Sequence, residues 1–142
     1  MAELPSAADY FAQAAHNEQV LDALLKMLVP QQPGYADWAL VVAFYAGLHY
    51  AGGALLKDHN ERPVRHATHR DPATGGLIRG RADLVSFHYG KDAAVAYHAL
   101  YDLGTQARYQ PLYRTFVDSR DTLNTLNLHR FNLETLKTHC HP

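Results

Sequence analysis

At 142 residues and 47% hydrophobic content, the chain is one ordinary domain (1–142), large enough for a real core. A formal net charge of −1 excludes a global pull toward nucleic acid or acidic lipid, so any such binding must come from a local asymmetry. The single cysteine, Cys140, excludes an internal disulfide, and Glu3 followed by no apolar run argues against a signal peptide, so a cytoplasmic location is expected.

Residues 6–29 read as the first helix. Ser6 follows Pro5 as an N-cap, and Asp9 stands three residues on, as in a capping box. Tyr10, Ala14, Val20, Leu21, Leu24, Leu25 and Leu28 form its apolar stripe, and Pro30 with the QQPG turn ends it. Asp37 is expected to cap the next helix, giving antiparallel neighbours joined by a short connection.

The stretch Asp37–Lys57 organises the rest. Between Trp38 and Leu56 there is no charged residue and no proline, enough for a helix about 28 Å long. Ala39, Ala43, Gly47 and Ala51 make a ridge of small side chains that admits another backbone closely, and Trp38, Val42, Tyr45, His49, Gly52 and Leu56 lie on a different face. A helix apolar all round is either the centre of a bundle or a membrane span. His49, three glycines, the lack of a second hydrophobic segment and the lack of a flanking basic cluster favour the enclosed core helix and no membrane. His49 itself is expected to be a satisfied core histidine.

Residues 58–82 differ in kind. Arg62, Arg65, Arg70, Arg79 and Arg81 gather there with His59, His66 and His69, opposed by only Asp58, Glu61 and Asp71. Pro63, Pro72, Gly75, Gly76 and Gly80 rule out a long helix. Such a loop is either a solvated linker or an anion-binding surface, since arginine forks suit phosphates.

A helical pattern resumes near Asp83, with an irregularity at Gly90 and an inner face of Ala93, Ala96, Leu100, Leu103 and Ala107 up to Tyr109, before Pro111. A last helix occupies much of 117–138, with poor phase and an expected break near Asn127 and His129. The tail 139–142, carrying His139-Cys140-His141, is expected to be loose. Strand signals are absent. The expected fold is all-α, a four- to five-helix up-and-down bundle with a long basic loop between the second and third helices.

Three blocks then carry a resemblance: AAHNEQVL at 14–21, DWALVVAFYAGLH at 37–49 and YHALYDLGTQARY at 97–109. Over roughly residues 7–110 the chain resembles the HEPN superfamily (higher eukaryotes and prokaryotes nucleotide-binding domains), in particular its small bacterial members. Gly104 stands at a position that is Ser-like in that pattern, and Tyr113 stands where a histidine would follow Arg108. The resemblance implies a helical bundle, a homodimer with a polar cleft, and RNA or nucleotide as ligand. It also implies a metal-independent endoribonuclease of a toxin–antitoxin or defence type, with an antitoxin or nucleotidyltransferase partner, or else a non-catalytic module binding nucleotide, RNA or a protein.

The Arg-x(4–6)-His motif of such nucleases has two matches, Arg62…His69 and Arg81…His88, roughly the number chance supplies here. Arg62 with His69 is the expected catalytic pair, the histidine moving protons and the arginine steadying charge on phosphorus. Arg65, His66, Arg70, Arg108 and Tyr109 are the expected phosphate or RNA contacts, although Arg108 also suits a role anchoring its helix end through a carboxylate or carbonyls. Tyr97, Tyr101 and Tyr109 suit base stacking or packing equally. A metal site built from His66 and His69 with His49 or His98 lacks patterned carboxylates, so no metal and no cofactor are expected.

Overall fold

A computed structural model describes residues 2–31, 35–109 and 120–141. In chain order it has α1 (Ala7–Ala23), a π-helical turn (Leu24–Leu28), α2 (Ala36–His59), a hairpin of β1 (His69–Arg70) and β2 (Leu77–Ile78), α3 (Arg81–Tyr109) and α4 (Arg120–His139). Pro33 and Gly34 of the QQPG turn, the stop at Pro111, Tyr113 and the expected helical residues 117–119 lie outside the described residues.

The protein is mostly helical, and the hairpin corrects the expectation of no strand. His69 pairs with Ile78 and Arg70 with Leu77. The turn is closed by Asp71, whose carboxylate accepts from the Ala73 amide at 2.9 Å and the Thr74 hydroxyl at 3.1 Å. Local side-chain bonding of this kind needs no apolar alternation, so the strands left no periodic signature.

The Ser6–Asp9 capping box forms: the Asp9 amide donates to Ser6 Oγ at 3.2 Å and the Ser6 amide to Asp9 Oδ2 at 2.7 Å. The first helix changes to π geometry at Leu24 instead of running to 29 as one α-helix. Asp37 is not the cap of α2. Tyr35 precedes the helix, and Asp37 lies buried in its first turn with Oδ1 accepting from the Trp38 amide at 2.9 Å. A carboxylate there still complements the positive end of the helix dipole.

Helix α2 packs against α1, α3 and α4. Contacts of Phe11 with Gly53 and of Leu100 with Gly47 set α1 and α3 antiparallel to it, whereas His129 at Leu40 and His141 at Lys57 set α4 parallel. The ridge Ala39, Ala43, Gly47 and Ala51 is buried, and it is filled from within the chain. A Cβ on Gly47 would stand 2.8 Å from Leu100 Cδ1 and 3.1 Å from Leu136 Cδ2. The ridge therefore gives no surface to a second copy. Similarly, a Cβ at Gly104 would meet Phe44 Cβ at 2.4 Å, which accounts for glycine at the Ser-like position. Helix α2 is long and apolar enough to cross a membrane, and 67% of its apolar window is buried within the fold. Its other face stays partly open, from Trp38 (55% exposed) through Val42, Tyr45, His49 and Gly52 to Leu56.

The break expected near Asn127 and His129 does not occur, because α4 runs through both. His129 sits inside, with Leu126, Leu133 and Leu136, and its Nε2 hydrogen-bonds the Leu40 carbonyl oxygen at 3.0 Å. The stripe looked out of phase only because a core position carries an imidazole. The described part of the tail is likewise held: Cys140 is fully buried, and Lys57 Nζ donates to the His141 carbonyl at 3.1 Å, while residue 142 lies outside the described residues. Burial pushes the Cys140 thiol up to about 12, so it is not a thiolate nucleophile near neutrality.

Burial also pushes His129 down to about 4 against an ordinary value of 6.5, the Leu40 bond opposing. Between those values the unfolded chain binds the proton and the folded chain does not, so stability falls as pH drops through that window. The effect of this one residue is roughly 3 kcal/mol at most. Urea midpoints measured from pH 7 to pH 4 should decline in the wild type and decline less steeply in His129→Gln. Equal slopes would show that another group carries the acid sensitivity.

Candidate functional site

The segment between α2 and α3 is fastened to the start of α3. The first amides of a helix lack intrahelical acceptors. Here the Arg81 amide donates to the Arg65 carbonyl at 2.9 Å and the Ala82 amide to the His66 carbonyl at 3.1 Å. Thr68 adds a pin, its hydroxyl donating to the Asp83 carboxylate while its oxygen accepts from the Gly80 amide at 3.0 Å. A Cβ at residue 80 would fall 2.3 Å from the His66 carbonyl oxygen, so the close approach requires glycine.

Gly90 then folds α3 back. Its φ of 88° and ψ of −176° interrupt the helix between one limb ending at Tyr89 and another beginning at Lys91. Along a straight helix Ala82 and Tyr97 would be about 22 Å apart. Instead, His66 bonds the Ala82 amide through its backbone while its ring lies on Tyr97 and Tyr101. The bend is what brings both limbs to one histidine.

The His66 ring stacks on Tyr101 at 3.4 Å between centroids with an interplanar angle of 2°, and at 5.3 Å on Tyr97. Its Nδ1 is 3.1 Å from the Tyr97 hydroxyl, and the His98 ring meets it edge-on at 5.7 Å. Burial first, then the neighbouring His98 and Arg81, holds His66 below the ordinary histidine value, with Asp102 and Asp83 opposing. Burial raises the Tyr97 phenol, and the nearby Arg81 guanidinium works against that rise. In the tautomer whose Nδ1–H donates to the Tyr97 oxygen, His66 Nε2 keeps its lone pair.

His49 is not the satisfied core histidine expected. It is half-buried beside Tyr10, and its buried Nδ1 has no hydrogen-bond partner among the described residues. Burial, then Arg81, lowers its pKa. Compared with family models, with curated proteins and with solved structures, the chain matches none of them. The site therefore has to be judged on its own geometry.

Among the described residues no hydrogen bond or ring contact joins the expected catalytic pair. Arg62 donates to the Pro5 carbonyl at 2.6 Å, while His69, in β1, has Nδ1 3.3 Å from the Ala67 carbonyl oxygen. The other motif match shares no bond either: Arg81 donates to the Pro63 carbonyl at 3.2 Å, and His88 stacks on His59 at 3.5 Å with Nε2 3.3 Å from Glu61. Arg70 donates to the Gly75 carbonyl inside the hairpin, and Arg65 is exposed. Arg108 lies over the Tyr45 ring at 5.5 Å and the exposed Tyr109 ring at 4.9 Å, and among the described residues it has no carboxylate or carbonyl anchor of the kind expected. Tyr97 is buried, and one face of the half-buried Tyr101 is covered by His66.

Of the expected contacts only His66 enters the cluster, joined by Arg81, Tyr97, Tyr101 and His98. The spacing of four between Tyr97 and Tyr101 marked a platform, but its occupant was not legible. Among the described residues, none of Arg62, Arg65, Arg70, Arg79 and Arg81 forms an ion pair with a carboxylate, whereas Arg130 is bracketed by Asp22 and Glu134. Unneutralised guanidiniums beside a neutral imidazole can hold a phosphate diester and move a proton near it.

Proposed function

We propose that the chain is a HEPN-like, metal-independent endoribonuclease whose working histidine is His66 in place of His69. The observation that supports this reading is the His66 imidazole, kept uncharged by burial, oriented by Tyr97 and set beside Arg81. His66 Nε2 takes the proton of an RNA 2′-hydroxyl, whose oxygen bonds the adjacent phosphorus. The P–O5′ bond breaks, and His98 returns a proton to the departing oxygen, leaving a 2′,3′-cyclic phosphate and a 5′-hydroxyl. Arg81 offsets the charge that develops on phosphorus.

Purified protein should cleave single-stranded RNA in the presence of EDTA and yield those two termini. Intact RNA after incubation with folded protein would remove the catalytic reading. A second reading, a silent HEPN-like module that binds RNA, nucleotide or a protein partner, is favoured by Arg62 and His69 each being engaged with a backbone carbonyl and not with one another. It predicts RNA retention that is lost at moderate salt with no cleavage at any point. A homodimer and an antitoxin or nucleotidyltransferase partner belong to either reading.

A further inference from the structure

Next to Arg81, α1, α2, the loop and the start of α3 line a partly open recess of about 50 Å³, with Tyr10, His49, Glu61, Arg62, Pro63 and Arg81 among its walls. That exceeds one water's share of roughly 30 Å³ and is far below the several hundred cubic ångströms that a nucleoside-sized ligand needs. The space suits one small polyatomic group.

Its chemistry is anion-seeking. Arg62 and Arg81 form part of the wall, and neither has a carboxylate ion-pair partner among the described residues. Each is pinned through one guanidinium nitrogen, to the carbonyl of Pro5 or of Pro63, which orders the fork and leaves further N–H donors. The acid on the wall, Glu61, has Oε2 turned to His88 Nε2 at 3.3 Å. His49 adds a buried Nδ1 that nothing in the described chain satisfies, an arrangement native proteins rarely tolerate. Donors thus come from three separate segments (α2, the loop and α3).

We propose that this recess is a binding site for a tetrahedral oxyanion of phosphate size, either inorganic phosphate or the terminal monoester of a larger molecule whose remainder stays outside. The proposal does not depend on RNA cleavage. It is tested by thermal unfolding and isothermal titration of the full chain with sodium phosphate, against sodium chloride at equal ionic strength. Phosphate should give a saturable titration isotherm and a melting temperature that keeps rising with the logarithm of its concentration, and Arg62→Gln and His49→Gln should each weaken the apparent affinity about tenfold or more. Lys91→Gln, which removes an exposed cation elsewhere, should leave it unchanged. A 5′-phosphorylated dinucleotide that competes with phosphate, beside a 5′-hydroxyl one that does not, identifies a terminal monoester as a ligand; competition by neither assigns the site to the free ion. A phosphate effect no larger than that of chloride, or wild-type affinity in Arg62→Gln, would overturn the proposal. Because no cleavage is read, either result leaves the His66 assay to decide the nuclease reading.

Discussion

Gly90→Ala is expected to destabilise the protein by about 1–3 kcal/mol and to disperse the His66 cluster with it. The backbone there has φ 88° and ψ −176°, a region essentially closed to L-residues with a Cβ. No atom lies within 4 Å of the position such a Cβ would take, so the penalty is backbone strain and not collision. The residue also joins the limb that carries Arg81 to the limb that carries Tyr97 and Tyr101, so relaxing the strain means changing the angle between them. Gly75→Ala is the matched control. It too has positive φ (72°) and open space around it, but it sits at the tip of the hairpin. Both variants should lose stability in urea, and only Gly90→Ala should alter the His66 imidazole resonances. A Gly90→Ala protein as stable as the wild type, with those resonances unmoved, would refute this account of the bend.

The largest functional effect is expected at His66. His66→Ala should lower RNA cleavage by about 10²–10⁴-fold, the range typical of a removed general base, while His69→Ala should leave the rate within a few-fold. Because the ring also packs on Tyr101, loss of rate in the alanine variant alone could reflect lost structure. Tyr97→Phe separates the two: it keeps the aromatic surface and removes the hydroxyl that fixes the imidazole, so the rate should fall with the fold intact. The pH profile adds an independent reading. A base must be deprotonated to act, and His66 is held below 6.5, so the acid limb of the rate should lie below that value. Inactivity of His69→Ala beside an active His66→Ala would return the role to the hairpin.

What was legible in the sequence was what neighbouring residues decide. Ser6 and Asp9 announce their own cap, the uncharged run from Trp38 to Leu56 announces a core helix, and Gly90 announces an irregularity within a helical pattern. The crowding of arginines after α2 was equally plain. Which histidine of that segment meets the tyrosines was not, because it depends on the first α3 amides donating to the Arg65 and His66 carbonyls and on the fold-back at Gly90. Both are long-range facts. A spacing of seven residues between Arg62 and His69 suggested a pair, but the intervening chain enters β1 and hands His69 to a local carbonyl. His129 misled in the opposite sense: a polar side chain in an apolar stripe reads as a fault in phase until the carbonyl of Leu40 is seen opposite it.

The closeness of α2 to its neighbours also restricts how this protein can diverge. At residue 47 a single added methyl would overlap the δ-methyls of Leu100 and Leu136, which belong to two different helices. Enlargement there requires both leucines to shift or one of them to be shortened, so substitutions at 47, 100 and 136 are expected to be coupled in descendants of this chain.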